Sequence, residues 1–257
     1  MRRTITVLCL LMLCSPRTFA DVTVAAASDL RPALEQILTM WNTAHPQTPA
    51  RAVYGSSGRF ATQIRNGAPF DLYMSADLAY PQALHEEGLT TGEPRLYATG
   101  RLVLWSRTPF NGQLSDLADT DERIAIAQPD HAPYGVRARE ALQAAGVWER
   151  VESRLVYGES ISHAAQMAHS GAAGKALLAL SLVNTPEQET VGHWQRIDAT
   201  MHAPLYQALV ITLHGADKPE VEQLADFLLS AEAAAVLTSR GFERPPVIGE
   251  RAGRPAP

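Results

Sequence analysis

Residues 54–77 read YGSSGRFATQIRNGAPFDLYMSAD. Residues 52–54 are strand-like, 57–65 carry a helical pattern that stops at Asn66-Gly67, and 70–74 are apolar again. The resulting strand, helix, strand order is the repeating unit of a parallel sheet, because strands joined through a helix re-enter a sheet in the same direction. Two serines, Ser56 and Ser57, stand between Gly55 and Gly58 where the helix opens. A hydroxyl there can cap the first turn. The same position also suits an anion, because the first N–H groups lack intrahelical partners and the helix dipole adds positive charge.

The rhythm continues on both sides of this stretch. VTVAAA at residues 22–27 is a short apolar strand, and Leu30, Leu34, Ile37 and Trp41 then recur at the spacing of an amphipathic helix with Pro32 in its first turn. Further strands are expected at residues 101–106, 124–127, 155–157, 176–180 and 208–213, with helices at 134–145 and 160–169 and one long helix over 221–239. Such alternation predicts an α/β fold, a largely parallel sheet with helices on both faces. No repeat, low-complexity tract or long linker interrupts it, so any two lobes must be closely joined. A frayed tail is expected at 249–257.

The first twenty residues, MRRTITVLCLLMLCSPRTFA, have the layout of a secretory signal peptide: Arg2 and Arg3, a short apolar run, then T-F-A. The run is too short to span a bilayer. Cys14 lacks the small residues that precede a lipidated cysteine, so no lipid anchor is expected. Both cysteines, Cys9 and Cys14, lie in this leader, so the exported chain has no thiol, disulfide or cysteine metal ligand. Without Arg2, Arg3 and Arg17, the 22 basic residues fall to 19 against 27 acidic ones, a net charge of about −8. That balance disfavours nucleic acid or an anionic membrane surface as a partner.

Chemistry concentrates in four turns that each follow a strand and open a helix: Ala27-Ser28-Asp29, Gly55-Ser56-Ser57-Gly58, Ala132-Pro133-Tyr134-Gly135 and Gly158-Glu159-Ser160-Ile161. Each is a candidate anion site. Ser28 and Ser57 can add hydroxyl donors, and Gly58 and Gly135 let backbone approach a ligand. Lysine is not needed, and only Lys175 and Lys218 are present. Ligands in open α/β sheets gather at the carboxyl ends of strands, where all four turns fall.

AAASDL at residues 25–30, the 54–77 stretch, and IAQPDHAPYGVRAREAL at 126–142 together resemble the three main signatures of the periplasmic molybdate-binding proteins, the substrate-binding subunits of molybdate ABC importers. The resemblance spans nearly the whole chain after the leader. It implies a two-lobed type II periplasmic binding protein, each lobe a mostly parallel sheet flanked by helices, closing over a dehydrated tetrahedral oxyanion, molybdate or tungstate. The chain would cross near Gly100 and return near Gln207, giving one lobe from 21–100 and 207–257 and a second from 101–206. Position by position, Ser28 and Ser57 match hydroxyl and amide donors, while Tyr134 and Ile161 match backbone amide donors. These contact the anion's oxygens and are not ligands of the metal itself. Gly58, Arg59 and Asp29 are additional candidates. The resemblance also implies a monomer in the periplasm, a membrane permease as partner, and no cofactor.

This sequence departs from that pattern in two places. Some members offer a tyrosine hydroxyl from the strand at 176–180, where this chain reads ALLAL; Tyr134 is the candidate replacement. Asp29 follows Ser28 where other members carry a neutral residue. Because a carboxylate repels a dianion in a low-dielectric cleft, Asp29 is expected to point away as a cap or to pair with Arg59 or Arg31. The other role open to it is accepting a proton from hydrogen phosphate or arsenate, which would change the substrate and leave the fold intact. Sulfate is a further oxyanion of the right shape.

Enzymatic readings lack their motifs. Neither Gly55–Arg59 nor Gly158–Ser162 completes G-x-S-x-G, so a periplasmic hydrolase has no nucleophile elbow. His163 and His169 miss the i, i+4 ligand spacing, and His131, His193 and His202 form no metal pattern. Asp71 and Asp77 read as strand-end and helix-cap residues.

Overall fold

The computed structural model describes residues 21–184 and 191–246. The leader with its two cysteines and the tail at 249–257 lie outside them. From the N-terminus, β1 (Val22–Ala27), α1 (Arg31–Ala44), β2 (Ala50–Gly55), α2 (Ser57–Arg65), β3 (Leu72–Ser75), α3 (Ala79–Glu86) and β4 (Arg95–Gly100) build the first lobe. The second contains β5 (Leu102–Ser106), β6 (Ile124–Ala127), α4 (Pro133–Ala144), α5 (Trp148–Val151), β7 (Leu155–Gly158), α6 (Ile161–Ser170), β8 (Lys175–Ala179), α7 (Leu180–Val183) and β9 (His193–Arg196). The chain then returns to the first lobe as β10 (Leu205–Ile211), α8 (Pro219–Leu228) and α9 (Ala231–Ser239).

The sheets share one plan: β2-β1-β3-β10-β4 in the first lobe and β7-β6-β8-β5-β9 in the second. In each, one strand runs against the rest. β10 is antiparallel to β3 and β4, and β5 is antiparallel to β8 and β9. These are the first strands after each crossing. A chain leaving one sheet at its cleft edge enters the other from the cleft, so its first strand runs outward while its neighbours run inward. The return falls slightly before the expected Gln207, since β10 begins at Leu205.

β1 lies at the centre of the first lobe and is buried along its whole length. Side chains alternate across a strand, so Val22, Val24 and Ala26 pack under α1, α8 and α9, while Ala25 joins Phe60, Ile64 and Leu84 beneath α2 and α3. A strand covered on both faces can be apolar throughout, which is why VTVAAA shows no alternation. The stripe Leu30, Leu34, Ile37 and Trp41 is buried as its spacing predicts.

Three local expectations change. β4, β9 and α3 carry no strong sequence signal, being short and partly exposed. The single helix expected over 221–239 is two, α8 and α9, because the Ser230 side chain accepts the Ala233 N–H at 3.2 Å and caps a new helix. Gly135 approaches protein and not a ligand: a Cβ there would collide with the Ala127 carbonyl, so its absence seats α4 on β6.

Candidate functional site

The parallel register of β1 and β2 pairs Ala27 with Gly55, and that of β1 and β3 pairs Ala26 with Met74. Three strands therefore end at one level, bringing Ser28, Ser57 and Ala76 together. In the second lobe Ala127 pairs with Gly158, which sets the starts of α4 and α6 side by side. The two edges face each other across a cavity with about 190 Å³ of empty space, its mouth included. All four expected contact residues, Ser28, Ser57, Tyr134 and Ile161, line it, as does Asp29.

The local hydrogen bonds leave donors free in the cavity wall. Ser57 Oγ accepts the Ala76 N–H at 3.0 Å, and Ser28 Oγ accepts the Ser162 N–H at 3.2 Å. A hydroxyl has one proton, so a serine whose oxygen is occupied as acceptor retains that proton for a further partner. Ser162 Oγ also donates to the Ser28 carbonyl at 2.8 Å, which fixes the two turns against each other. Among the described residues, the N–H groups of Ser28, Ser57, Tyr134 and Ile161 have no hydrogen-bond partner. Buried N–H groups are rarely left alone. Four around one cavity, three of them opening α2, α4 and α6, define a concave surface of donors and helix-dipole charge.

Other candidates take different roles. The Ser56 side chain does not cap α2. Its Oγ donates across the cleft to the His131 carbonyl at 2.5 Å, and the Gly58 N–H bonds the same carbonyl at 2.9 Å. Gly58 thus meets the facing lobe and not a ligand: an added Cβ would stand 2.7 Å from that oxygen. Arg59 forks onto Glu159 of the other lobe at 2.8 and 3.2 Å, with both side chains about half exposed or more. Burial and Arg59 together hold the His131 imidazole below its ordinary pKa. Asp77 accepts the Ala79 N–H at 2.9 Å at the start of α3 and also the Arg137 guanidinium at 2.5 Å. Asp71 is a buried tie that takes the Thr23 N–H, His214 and Lys218.

Asp29 departs from expectation. It pairs with neither arginine, since Arg31 bonds Glu35 and Arg59 bonds Glu159. Its carboxyl is fully buried. Oδ2 accepts Gln207 Nε2 at 2.6 Å, while Oδ1 is buried without a hydrogen-bond partner. Tyr97 donates to Gln207 Oε1 at 2.8 Å, which turns the amide so that its NH2 faces Asp29. Burial pushes the Asp29 pKa up to about 6, against the opposing pull of Gln207 and the Tyr134 hydroxyl. Tyr134 does not supply the missing tyrosine contact, because its hydroxyl joins this network 3.5 Å from Gln207 Nε2 and against Gly100, where a Cβ would collide with it. Where that tyrosine was sought, Leu180 opens α7, and the next residue, Ser181, donates to the Asp29 carbonyl at 2.8 Å.

Sequence reasoning missed Ala76, Ser162, Gln207 and Tyr97, which orient site residues without carrying a motif. Ala76 alone had a signal, lying within the Ser-Ala-Asp that closes the 54–77 stretch.

Comparison with known proteins places the chain. Residues 22–243 match the family model described as bacterial extracellular solute-binding protein. The chain is 33% identical over 231 residues to the molybdate-binding protein ModA of Azotobacter vinelandii, covering 87% of this chain and 90% of the relative. It is 35% identical over 243 residues to ModA of Rhodobacter capsulatus, covering 92% and 94%. The solved structure of the Azotobacter vinelandii periplasmic molybdate-binding protein superposes with a TM-score of 0.81 at 30% identity, over 88% of this chain and all of that one. The chain belongs to the molybdate-binding proteins of the bacterial extracellular solute-binding family.

Proposed function

We propose that this protein captures molybdate in the periplasm and delivers it to the permease of an ABC importer. The observation that supports this reading is the set of unpartnered N–H groups at Ser28, Ser57, Tyr134 and Ile161, joined by the free hydroxyl protons of Ser28 and Ser57. These donors suit a fully ionised tetrahedral oxyanion, whose oxygens only accept. Each hydrogen bond to the charged anion contributes about 1.5–3 kcal/mol, with helix dipoles supplying the positive potential that arginine or lysine would otherwise provide. Tungstate, with the same charge and shape, is bound as well. The protein works as a monomer, exported by its N-terminal leader, and its lobes move apart about the two crossings to admit and release the anion.

Calorimetric titration of the ligand-stripped protein with molybdate, in excess sulfate and then in excess phosphate, tests this. One-to-one binding that survives both competitors is expected. Loss of binding under phosphate would move the function to a protonated oxyanion.

A further inference from the structure

The anion site contains an acid as well as donors. Asp29 directly follows Ser28 and lines the cavity. Its burial depends on both lobes: Gln207 of β10 and Tyr97 of β4 belong to the first, Tyr134 of α4 and Ser181 of α7 to the second. Opening the cleft withdraws Tyr134 and Ser181, leaving the carboxyl open to water. With the lobes closed, Oδ1 is buried with no hydrogen-bond partner among the described residues. The titratable groups acting on Asp29 are the phenols of Tyr97 and Tyr134, both held neutral by burial with pKa values well above the ordinary range. Its remaining neighbours, Gln207 and Ser181, are uncharged, so among the described residues no cation offsets a carboxylate there.

We propose that Asp29 is the proton-coupling residue of the site: the lobes close on the bound dianion with Asp29 carrying one proton taken from solvent. This rests on the oxyanion reading above. A dianion and a carboxylate cannot share a dry cavity without a cation, whereas a neutral carboxyl can, and its new O–H donor removes the orphaned-acceptor problem at Oδ1. The balance is simple: the open protein with ionised Asp29, one dianion and one solvent proton give the closed complex, and no other bond changes. Below about pH 4, the ordinary carboxylate range to which the water-exposed carboxyl of the open protein returns, it is already protonated and binding takes up little. Above it, each complex consumes about one proton and affinity falls about tenfold per pH unit. The residue thereby favours capture at mildly acidic pH.

The test is titration of the full exported chain with sodium molybdate at pH 6, 7 and 8. At pH 8 it is run in two buffers of different protonation enthalpy, which reads proton uptake directly. We expect uptake of about one proton per anion at pH 8 and a Kd that weakens about tenfold between pH 7 and 8. In Asp29→Asn both effects vanish, and binding at pH 8 is at least about tenfold tighter than in the parent. Tight binding by the parent with no proton uptake and a flat pH profile overturns the proposal while leaving the oxyanion reading intact, whether or not the variant folds. Uptake that persists in Asp29→Asn overturns it too, by placing the proton on another group such as His131. Failure of the parent to bind molybdate at any of the three pH values overturns the oxyanion reading, and this proposal with it.

Discussion

Ser57 Oγ accepts the backbone N–H of Ala76 at 3.0 Å, so the hydroxyl that opens α2 is held by the end of β3. This bond converts a side chain that could rotate freely into a donor with a fixed direction. Ordering is complete before an anion arrives, so less conformational entropy is lost on binding.

Removing that hydroxyl should therefore cost affinity more than stability. Ser57→Ala is expected to weaken molybdate binding by about 1–3 kcal/mol, the cost of leaving a charged acceptor short of a donor. It also leaves the Ala76 N–H unpaired, lowering stability by about 1 kcal/mol. Calorimetry and denaturant unfolding separate the two. Unchanged affinity would reduce Ser57 to a strap between α2 and β3.

Gly58 tests closure. An alanine Cβ would stand 2.7 Å from the His131 carbonyl oxygen, backbone of the opposite lobe, which can yield only if the lobes part. Gly58→Ala should weaken binding by about tenfold or more, roughly 1.4 kcal/mol, while the ligand-free melting temperature stays within a few degrees. A large drop in ligand-free stability with intact affinity would show that Gly58 matters within its own lobe.

Arg59 gives the opposite expectation. Its pair with Glu159 spans the cleft, but the two side chains are 49% and 66% exposed, so water and salt screen it. Arg59→Ala should raise Kd by less than about fivefold, mainly through faster release, and the difference should shrink in high salt. A loss of several kcal/mol that persists in salt would place the guanidinium on the anion.

Asp29 also makes stability depend on pH. With the lobes closed its pKa of about 6 lies above the ordinary carboxylate value of 3.8, so between these values the closed folded state holds a proton that the unfolded state has released. Stability is fully present below about pH 4, falls as pH rises towards 6, and settles lower by about 3 kcal/mol at most. Asp29→Asn removes this loss. Its advantage in denaturant unfolding should be near zero at pH 4 and largest above pH 6; an equal advantage at every pH would mean the carboxyl does not titrate in the folded protein.

The sequence by itself determined the lobe cores and the positions of the donor turns, because these are encoded over short distances. The 3.6-residue stripe from Leu30 to Trp41, the apolar run at 22–27 and the turn residues before α2, α4 and α6 depend only on neighbours within a few positions. Tertiary structure alone decided what each side chain in those turns faces. Ser56 reads as a helix cap but reaches His131, 75 residues away, and Asp29 reads as the partner of a nearby arginine but bonds Gln207, 178 residues away. Local pattern specifies where a helix starts. Which lobe, strand or carboxyl lies opposite that start is set by the two crossings of the chain, and with it whether a hydroxyl caps, latches or is left to bind.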